Sequence, residues 1–426
     1  MSKFLSLKNC LYLLFGLLIL APITGELWHF SFVGLGFLPS DLLIPPLFVV
    51  WVIDKIRNDR KLRLGKIGKM IIVFLFTLTL TYLINLYMFP VKEMIVAFSA
   101  LGRFGMYLIL AIITFDLIDR SKWNWFRIFL VGGMIASMFI ICILGFLQLL
   151  YFPSFYNLGM QLQGWDPHIG RLLSTWFDPN FIGGFLAFML GPVIAFGLYF
   201  RHKRDNKWFL IFAMIALTAL LALYLTYSRS GYLALIIVLG LLALFKSRKL
   251  LIAGLLIVVM AFTLSPRVQE RSVEALNSGK ALLGLDIQKP LDPTAELRVW
   301  SWQFAWEMIE ENPWVGVGYS RYVYEINKRG HGLLSDHAAG GSDSSLLTIW
   351  ATSGIFGILS YLSIGFVAAA INIKRLWKRN DLRSYLDSGF VAGFGGIMAH
   401  SFFVNSLLFA LMMVFLLIGL GMLDEK

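Results

Sequence analysis

The chain has 426 residues, of which 58% are hydrophobic, 15% aromatic and 15% charged, with a formal charge of +12 and a mean hydropathy of +0.75. Soluble domains carry about 25% charged residues, so this composition argues against a water-soluble core. The surplus of Lys and Arg would suit nucleic acid, but its distribution along the chain gives it another meaning.

Apolar runs near the ~20 residues needed to cross a bilayer recur throughout. They predict an all-α integral membrane protein with about twelve transmembrane helices, at 7–23, 39–53, 70–89, 94–115, 128–152, 179–200, 208–227, 231–245, 250–265, 345–371, 386–403 and 405–422. Lys3 and Lys8 precede the first run as in a signal peptide, but Ala21-Pro22-Ile23-Thr24-Gly25 is a poor cleavage site, so the run reads as a span. Cys10 and Cys142 fall in apolar runs and imply no disulfide framework. No internal repeat, low-complexity segment or zinc-ligand spacing is present, and no cofactor or metal is expected.

The loops alternate in charge. Segment 54–69 carries Lys55, Arg57, Arg60, Lys61, Arg63, Lys66 and Lys69, and basic clusters return at 120–127, 201–207, 246–249 and 374–383, always two spans apart or across the long loop. The loops between them are poor in Lys and Arg or net acidic. By the positive-inside rule both termini are cytoplasmic and segment 267–344 is external. The positive charge is therefore a topology signal, and no nucleic-acid partner is expected.

Three regions follow: residues 1–266 with the first nine spans, an external loop domain at 267–344, and residues 345–426 with the last three. The loop holds eight Lys/Arg against eleven Asp/Glu. Asp292-Pro293 predicts a helix start, with proline at the first helical position. Leu297, Trp300, Phe304 and Met308 then recur at spacings of three and four as one apolar face. The helix stops at Asn312-Pro313, and Trp300, Trp302 and Trp306 suit a position at the membrane–water interface.

Several residues carry chemistry. Arg103 lies in mid-span, where a charge costs at least ~2.5–3.5 kcal/mol, so it faces the bundle interior, either in a structural pair or at a ligand. Arg229, in the tight turn Tyr227–Gly231, has a planar fork suited to two phosphate oxygens; snorkelling to headgroups is the plainer role. Arg171 and Arg298 share its external level, so the group suggests an anion site. Asp343 precedes the apolar run from Leu346, as an N-cap or as a general base for a hydroxyl nucleophile. His337 is the other candidate base and His331 a weaker one. Asp178 and Asn180 cap a span or orient a sugar hydroxyl, and His400 and Asn405 bond between helices. Gly316-Val-Gly318 lacks the strand–helix context of a nucleotide loop.

Over roughly residues 100–365 the chain resembles the bacterial O-antigen ligase and O-antigen polymerase superfamily. The carriers are Arg171 through Phe177-Asp178-Pro179-Asn180, Ser228-Arg229-Ser230, Arg298-Val299-Trp300 leading to Asn312-Pro-Trp-Val-Gly-Val-Gly318, and Asp343-Ser-Ser-Leu-Leu leading to Gly354-Ile-Phe-Gly357. The resemblance implies a metal-independent, inverting membrane glycosyltransferase of GT-C-like fold in the bacterial cytoplasmic membrane, with its active site on the external face. Its donor would be a glycan on undecaprenyl diphosphate, held by Arg229 and Arg298 with Arg103 and Arg171. Asp178, Asn180 and Trp300 would contact sugar or acceptor. Ligases of the family usually carry His where this chain has Asp343, and an acid there is similar to the polymerase branch. The expected function is thus a polymerase of lipid-linked repeat units for O-antigen, capsule or exopolysaccharide. A ligase acting on lipid A–core or another acceptor and a lipid-linked oligosaccharide transporter are the alternatives. Expected partners are a lipid-linked glycan or glycolipid acceptor, membrane lipids and a chain-length regulator.

Overall fold

A backbone in hydrocarbon must satisfy its own hydrogen bonds, which leaves the helix as the form for these apolar runs. The computed structural model describes residues 6–32, 35–88, 90–120, 125–158, 168–282, 293–330, 341–378 and 380–424. His331 and His337 lie outside the described residues. The helices before the loop are α1 (Leu7–Leu20), α2 (Pro39–Arg57), α3 (Lys66–Ile84), α4 (Val91–Arg120), α5 (Trp125–Tyr151), α6 (Pro179–His202), α7 (Asn206–Thr226), α8 (Arg229–Phe245) and α9 (Lys249–Leu264). The loop contributes α10 (Pro266–Leu282), α11 (Pro293–Glu311) and α12 (Tyr322–Lys328). The chain closes with α13 (Ser345–Lys378), α14 (Leu382–His400) and α15 (Ala410–Leu423).

Among the described residues, α3 to α7 and α13 are long and apolar enough to cross a membrane, and α1, α8 and α15 are apolar but shorter. The chain is an integral membrane protein built mainly of helices among the described residues. A small antiparallel hairpin, β1 (Phe30–Phe32) and β2 (Leu35–Phe37), pairs Phe30 with Phe37 just before α2.

At the centre stands α6. Its residues Phe185, Leu186, Phe188, Met189 and Leu190 are fully buried, the signature of a helix that is apolar all round. Glycines let α14 and α8 approach it closely, as small residues do in helix pairs within membranes. A Cβ on Gly191 would come within 2.3 Å of the Gly389 carbonyl oxygen, and one on Gly183 within 2.9 Å of the Ser228 Cβ.

One end of the bundle gathers α10 to α12 and is called the loop end here. The opposite end carries buried charges that sequence periodicity did not single out. Asp116 pairs with Lys55 at 2.6 Å, and Arg375 with Asp387 at 2.6 Å. Each is satisfied, as a buried charge must be.

The expected span 345–371 is a broken helix. Gly354 has φ 65° and ψ −170°, inside what is otherwise continuous α13. The turn after α11 fills the break. Val317 N–H donates to the Ala351 carbonyl at 2.9 Å, Gly318 N–H to Thr352 at 3.2 Å, and Ile355 N–H to Pro313 at 2.9 Å. Backbone groups released by the kink thus find partners in the loop. A Cβ on Gly354 would sit 2.1 Å from the Trp314 carbonyl oxygen, and one on Gly316 (φ 66°) would be 2.5 Å from Ser353 N. Helix α11 starts at the expected proline, and three of the four residues of the expected face turn inward, Met308 buried and Leu297 and Phe304 packed against the same cluster. Ala305, Met308 and Ile309 pack with Val317, Tyr322 and Ala351, while Trp300 is 46% and Trp306 47% exposed. Docking on α13 selects the small residues Ser301 and Ala305 for the contact and turns Trp300 outward.

Candidate active site

At the loop end, three helix starts and two helix ends meet. The link from α7 to α8 is two residues long. Tyr227 ends α7 in the left-handed region (φ 51°) and Ser228 caps α8 by accepting from Gly231 N–H at 3.2 Å. This places Arg229 at the first position of α8. Asp178 caps α6, accepting from Asn180 N–H at 2.6 Å and Phe181 N–H at 3.1 Å, with Pro179 at the first helical position. The segment before it is pinned on both sides. Trp176 Nε1 donates to the Pro22 carbonyl at 2.8 Å, and Gln148 Oε1 accepts from Leu173 N–H at 2.9 Å.

Side chains stitch these pieces together. Arg171 Nε donates to the Thr226 carbonyl at 2.8 Å, and its terminal nitrogen reaches Asn180 Oδ1 at 3.4 Å. Ser228 Oγ donates to the same Asn180 oxygen at 3.2 Å. His400, fully buried at the end of α14, contacts the Asn180 carbonyl through Nε2 at 3.0 Å and Ser406 Oγ through Nδ1 at 2.6 Å. It bonds between helices, as the sequence suggested.

The loop helices bring two further contributions. Glu274 of α10 meets Arg229 at 3.5 Å, and Arg298 of α11 meets Asp343 at 4.0 Å. Asp343 N–H donates to Ser301 Oγ at 3.0 Å, fixing its backbone to α11. Ser344 Oγ accepts from Leu347 N–H at 3.3 Å. The cap of α13 is therefore Ser344, and the Asp343 carboxylate is turned to Arg298. Burial holds the Asp178 carboxyl above the ordinary carboxylate range, and the Asp343 charge pushes the same way. The Phe181 and Asn180 N–H groups and Arg171 pull it back. Asp178 thus lies within electrostatic reach of both Arg171 and Asp343.

Of the residues singled out from sequence, Arg171, Asp178, Asn180, Arg229, Arg298 and Asp343 come together. Arg103 does not join them directly. Its Nε and a terminal nitrogen hold both oxygens of Asp41 at 2.8 and 2.7 Å, which is the structural pair foreseen as its plainer role. Trp300 is half-exposed on α11. Glu274, Ser301 and Arg267 were missed. Arg267 donates to the carbonyls of Gly170 (3.1 Å) and Ile169 (2.8 Å) and lies 4.3 Å from the centre of the Tyr227 ring. Such single polar residues in a polar loop carry no pattern that marks them.

Arginines and carboxylates are thus gathered at one end of a membrane bundle. Residues 214–362 match the family model described as O-antigen ligase. Over those residues the chain is similar to the O-antigen ligase/polymerase superfamily. No curated protein matches it. The O-antigen ligase match begins inside α7 and ends inside α13, so it contains Arg229, Glu274, Arg298, Asp343 and the Gly354 break. Arg171, Asp178 and Asn180 precede it and reach the O-antigen ligase segment through Thr226 and Ser228. The superfamily comprises ligases and polymerases of glycosyltransferase type, with lipid-linked glycans as substrates at a membrane.

Proposed function

We propose that this protein polymerises saccharide repeat units carried on undecaprenyl diphosphate, for O-antigen, capsule or exopolysaccharide. The reaction takes place on the external face of the bacterial cytoplasmic membrane, in a twelve-span GT-C-like bundle with both termini inside. The observation that carries this reading is the Asp343 carboxylate, relieved of helix capping by Ser344 and set against Arg298 at 4.0 Å.

In the reaction, a hydroxyl of the acceptor glycan attacks the anomeric carbon of the donor glycan. Asp343 accepts the hydroxyl proton as the new glycosidic bond forms. The bond from the anomeric carbon to the diphosphate oxygen breaks with inversion, and its electron pair leaves on undecaprenyl diphosphate. Arg229 and Arg298, supported by Arg171, stabilise the charge that grows on that leaving group. Asp178 and Asn180 set the start of α6 beside the donor sugar. His337, outside the described residues, is the other candidate base, and the acid at 343 favours Asp343 in that role.

The test is the purified protein with one defined undecaprenyl-diphosphate-linked repeat unit as sole substrate. A ladder of multiples is expected, and Arg229→Ala should lower its rate by about 10²-fold or more. Transfer appearing only after a different glycolipid acceptor is added would make the protein a ligase. A ladder of undiminished rate from Arg229→Ala would remove the diphosphate role of Arg229.

A further inference from the structure

His400, fully buried at the end of α14, has surroundings that define the form of its ring. Among the described residues its hydrogen-bond partners are the Asn180 carbonyl and Ser406 Oγ, neither of them charged. An imidazolium buried without a carboxylate is costly, so the ring is neutral and carries one N–H. The Asn180 carbonyl, at 3.0 Å, can only accept, which places that hydrogen on Nε2. Nδ1 is then the acceptor, and Ser406 Oγ donates to it at 2.6 Å. Helix α6 makes room for the ring: a Cβ on Gly184 would come within 2.7 Å of His400 Cε1.

The two partners belong to two halves of the candidate site. On one side, Asn180 Oδ1 accepts from Arg171 and from Ser228, the residue before Arg229, and the Asp178 carboxylate accepts the Asn180 N–H. On the other side, Ser406 lies in the turn between α14 and α15, and that turn grips the start of α13. Ser345 N–H donates to the Ser401 carbonyl at 2.9 Å, and Leu407 N–H donates to Ser345 Oγ at 3.1 Å. The Val404 carbonyl accepts from both Ser406 N–H, at 2.8 Å, and Ser345 Oγ, at 3.3 Å. Ser345 stands two residues after Asp343. Hydrogen bonds therefore run without a gap from Arg171 through Asn180, His400, Ser406 and Val404 to the helix start that carries the candidate base.

We infer that His400 is a positioning residue that fixes the Arg171–Asn180–Ser228 group relative to Asp343; the inference rests on the glycosyl transfer proposed above. In that transfer the base and the groups facing the leaving diphosphate come from different helices, so their spacing has to be set by a third element. A displacement of about 1 Å between such groups costs on the order of 10²-fold in rate. The imidazole is suited to the task because it is rigid and presents a donor and an acceptor on opposite sides. Packing alone would need the volume of the ring and neither of its nitrogens.

The test compares His400→Ala, His400→Gln and His400→Asn in the full-length detergent-solubilised protein. A glutamine amide reaches the place of Nε2 and an asparagine amide that of Nδ1, so each restores one of the two bonds. In His400→Ala, hydrogen–deuterium exchange read by mass spectrometry should quicken about tenfold or more in both 178–184 and 342–349, while α4 stays within about twofold. Turnover of the undecaprenyl-diphosphate-linked repeat unit, counted per site that binds undecaprenyl diphosphate, should fall about 10²-fold. Affinity for undecaprenyl diphosphate alone should stay within about twofold, and neither His400→Gln nor His400→Asn should restore turnover fully. Should His400→Ala fail to fold, Ser406→Ala, which removes only the donor to Nδ1, reads the same way. Unchanged exchange in 342–349 of a folded variant, a parallel loss of undecaprenyl diphosphate affinity, or full turnover in His400→Gln or His400→Asn overturns the inference. The expected exchange pattern in a protein that transfers nothing would keep His400 as the link between the two halves and defeat the proposed function.

Discussion

Asp343 and Asp178 are both acids placed next to a helix start, yet they do different work. Asp178 caps α6 with two N–H bonds, and asparagine makes the same bonds. Asp178→Asn should therefore leave thermal stability nearly unchanged, whereas Asp178→Ala should cost about 1 kcal/mol; equal losses in thermal unfolding would mean that the charge beside Arg171 matters more than the cap. Asp343 leaves capping to Ser344. Asp343→Asn keeps the N–H bond to Ser301 and should lower turnover by ~10²–10⁴-fold with little change in acceptor KM. Normal turnover in that variant would reduce Asp343 to a partner of Arg298. The types of these residues and the order of their motifs were legible in the sequence. Their convergence was not, because it is made by cross-chain bonds such as Arg171 to Thr226 and Ser228 to Asn180 that no local pattern encodes.

Among the elements, α13 departs most from expectation. Hydropathy runs through Gly354 without interruption, so sequence periodicity predicts an unbroken span. The glycine's backbone conformation and the two close approaches at Gly316 and Gly354 reveal a break that the 312–318 turn occupies. Gly354→Ala forces a side chain into a region that glycine alone adopts readily, at a cost of ~1–3 kcal/mol before the clash with Trp314 is counted. The expected result is release of the loop helices: limited proteolysis within 267–344 should accelerate, while the membrane-embedded fragments stay intact. Unchanged cleavage would show that the break is not what holds the loop. Proline at the start of α11 was readable in advance because its fixed φ acts locally. The outward turn of Trp300 was not, since packing on α13 decides it.

At the scale of the whole molecule, charge is divided between the two ends. Arginines and carboxylates collect at the loop end, from Arg298 and Asp343 at 4.0 Å to Arg329 and Glu311 at 2.6 Å, and buried pairs such as Lys55–Asp116 hold the other. The alternation of basic loops was visible in the sequence and underlies the proposed sidedness. Cys10 and Cys142 are partly and fully buried, so a single exposed cysteine can report on each face. Asn327→Cys should react with a membrane-impermeant maleimide applied outside the cytoplasmic membrane, and Lys203→Cys only after that membrane is permeabilised. The opposite pattern would invert the topology and with it the proposed location of the site.

The turn seated in the α13 break also decides where this protein can be recombined. A loop exchanged between relatives with junctions at 267 and 344 would bring a foreign 312–318 turn to the host's own Gly354, parting a plug from its socket. A junction beyond Gly357 moves both together, along with Arg298, Ser301 and Asp343. The transferable module is therefore longer than the loop, and it ends inside a helix.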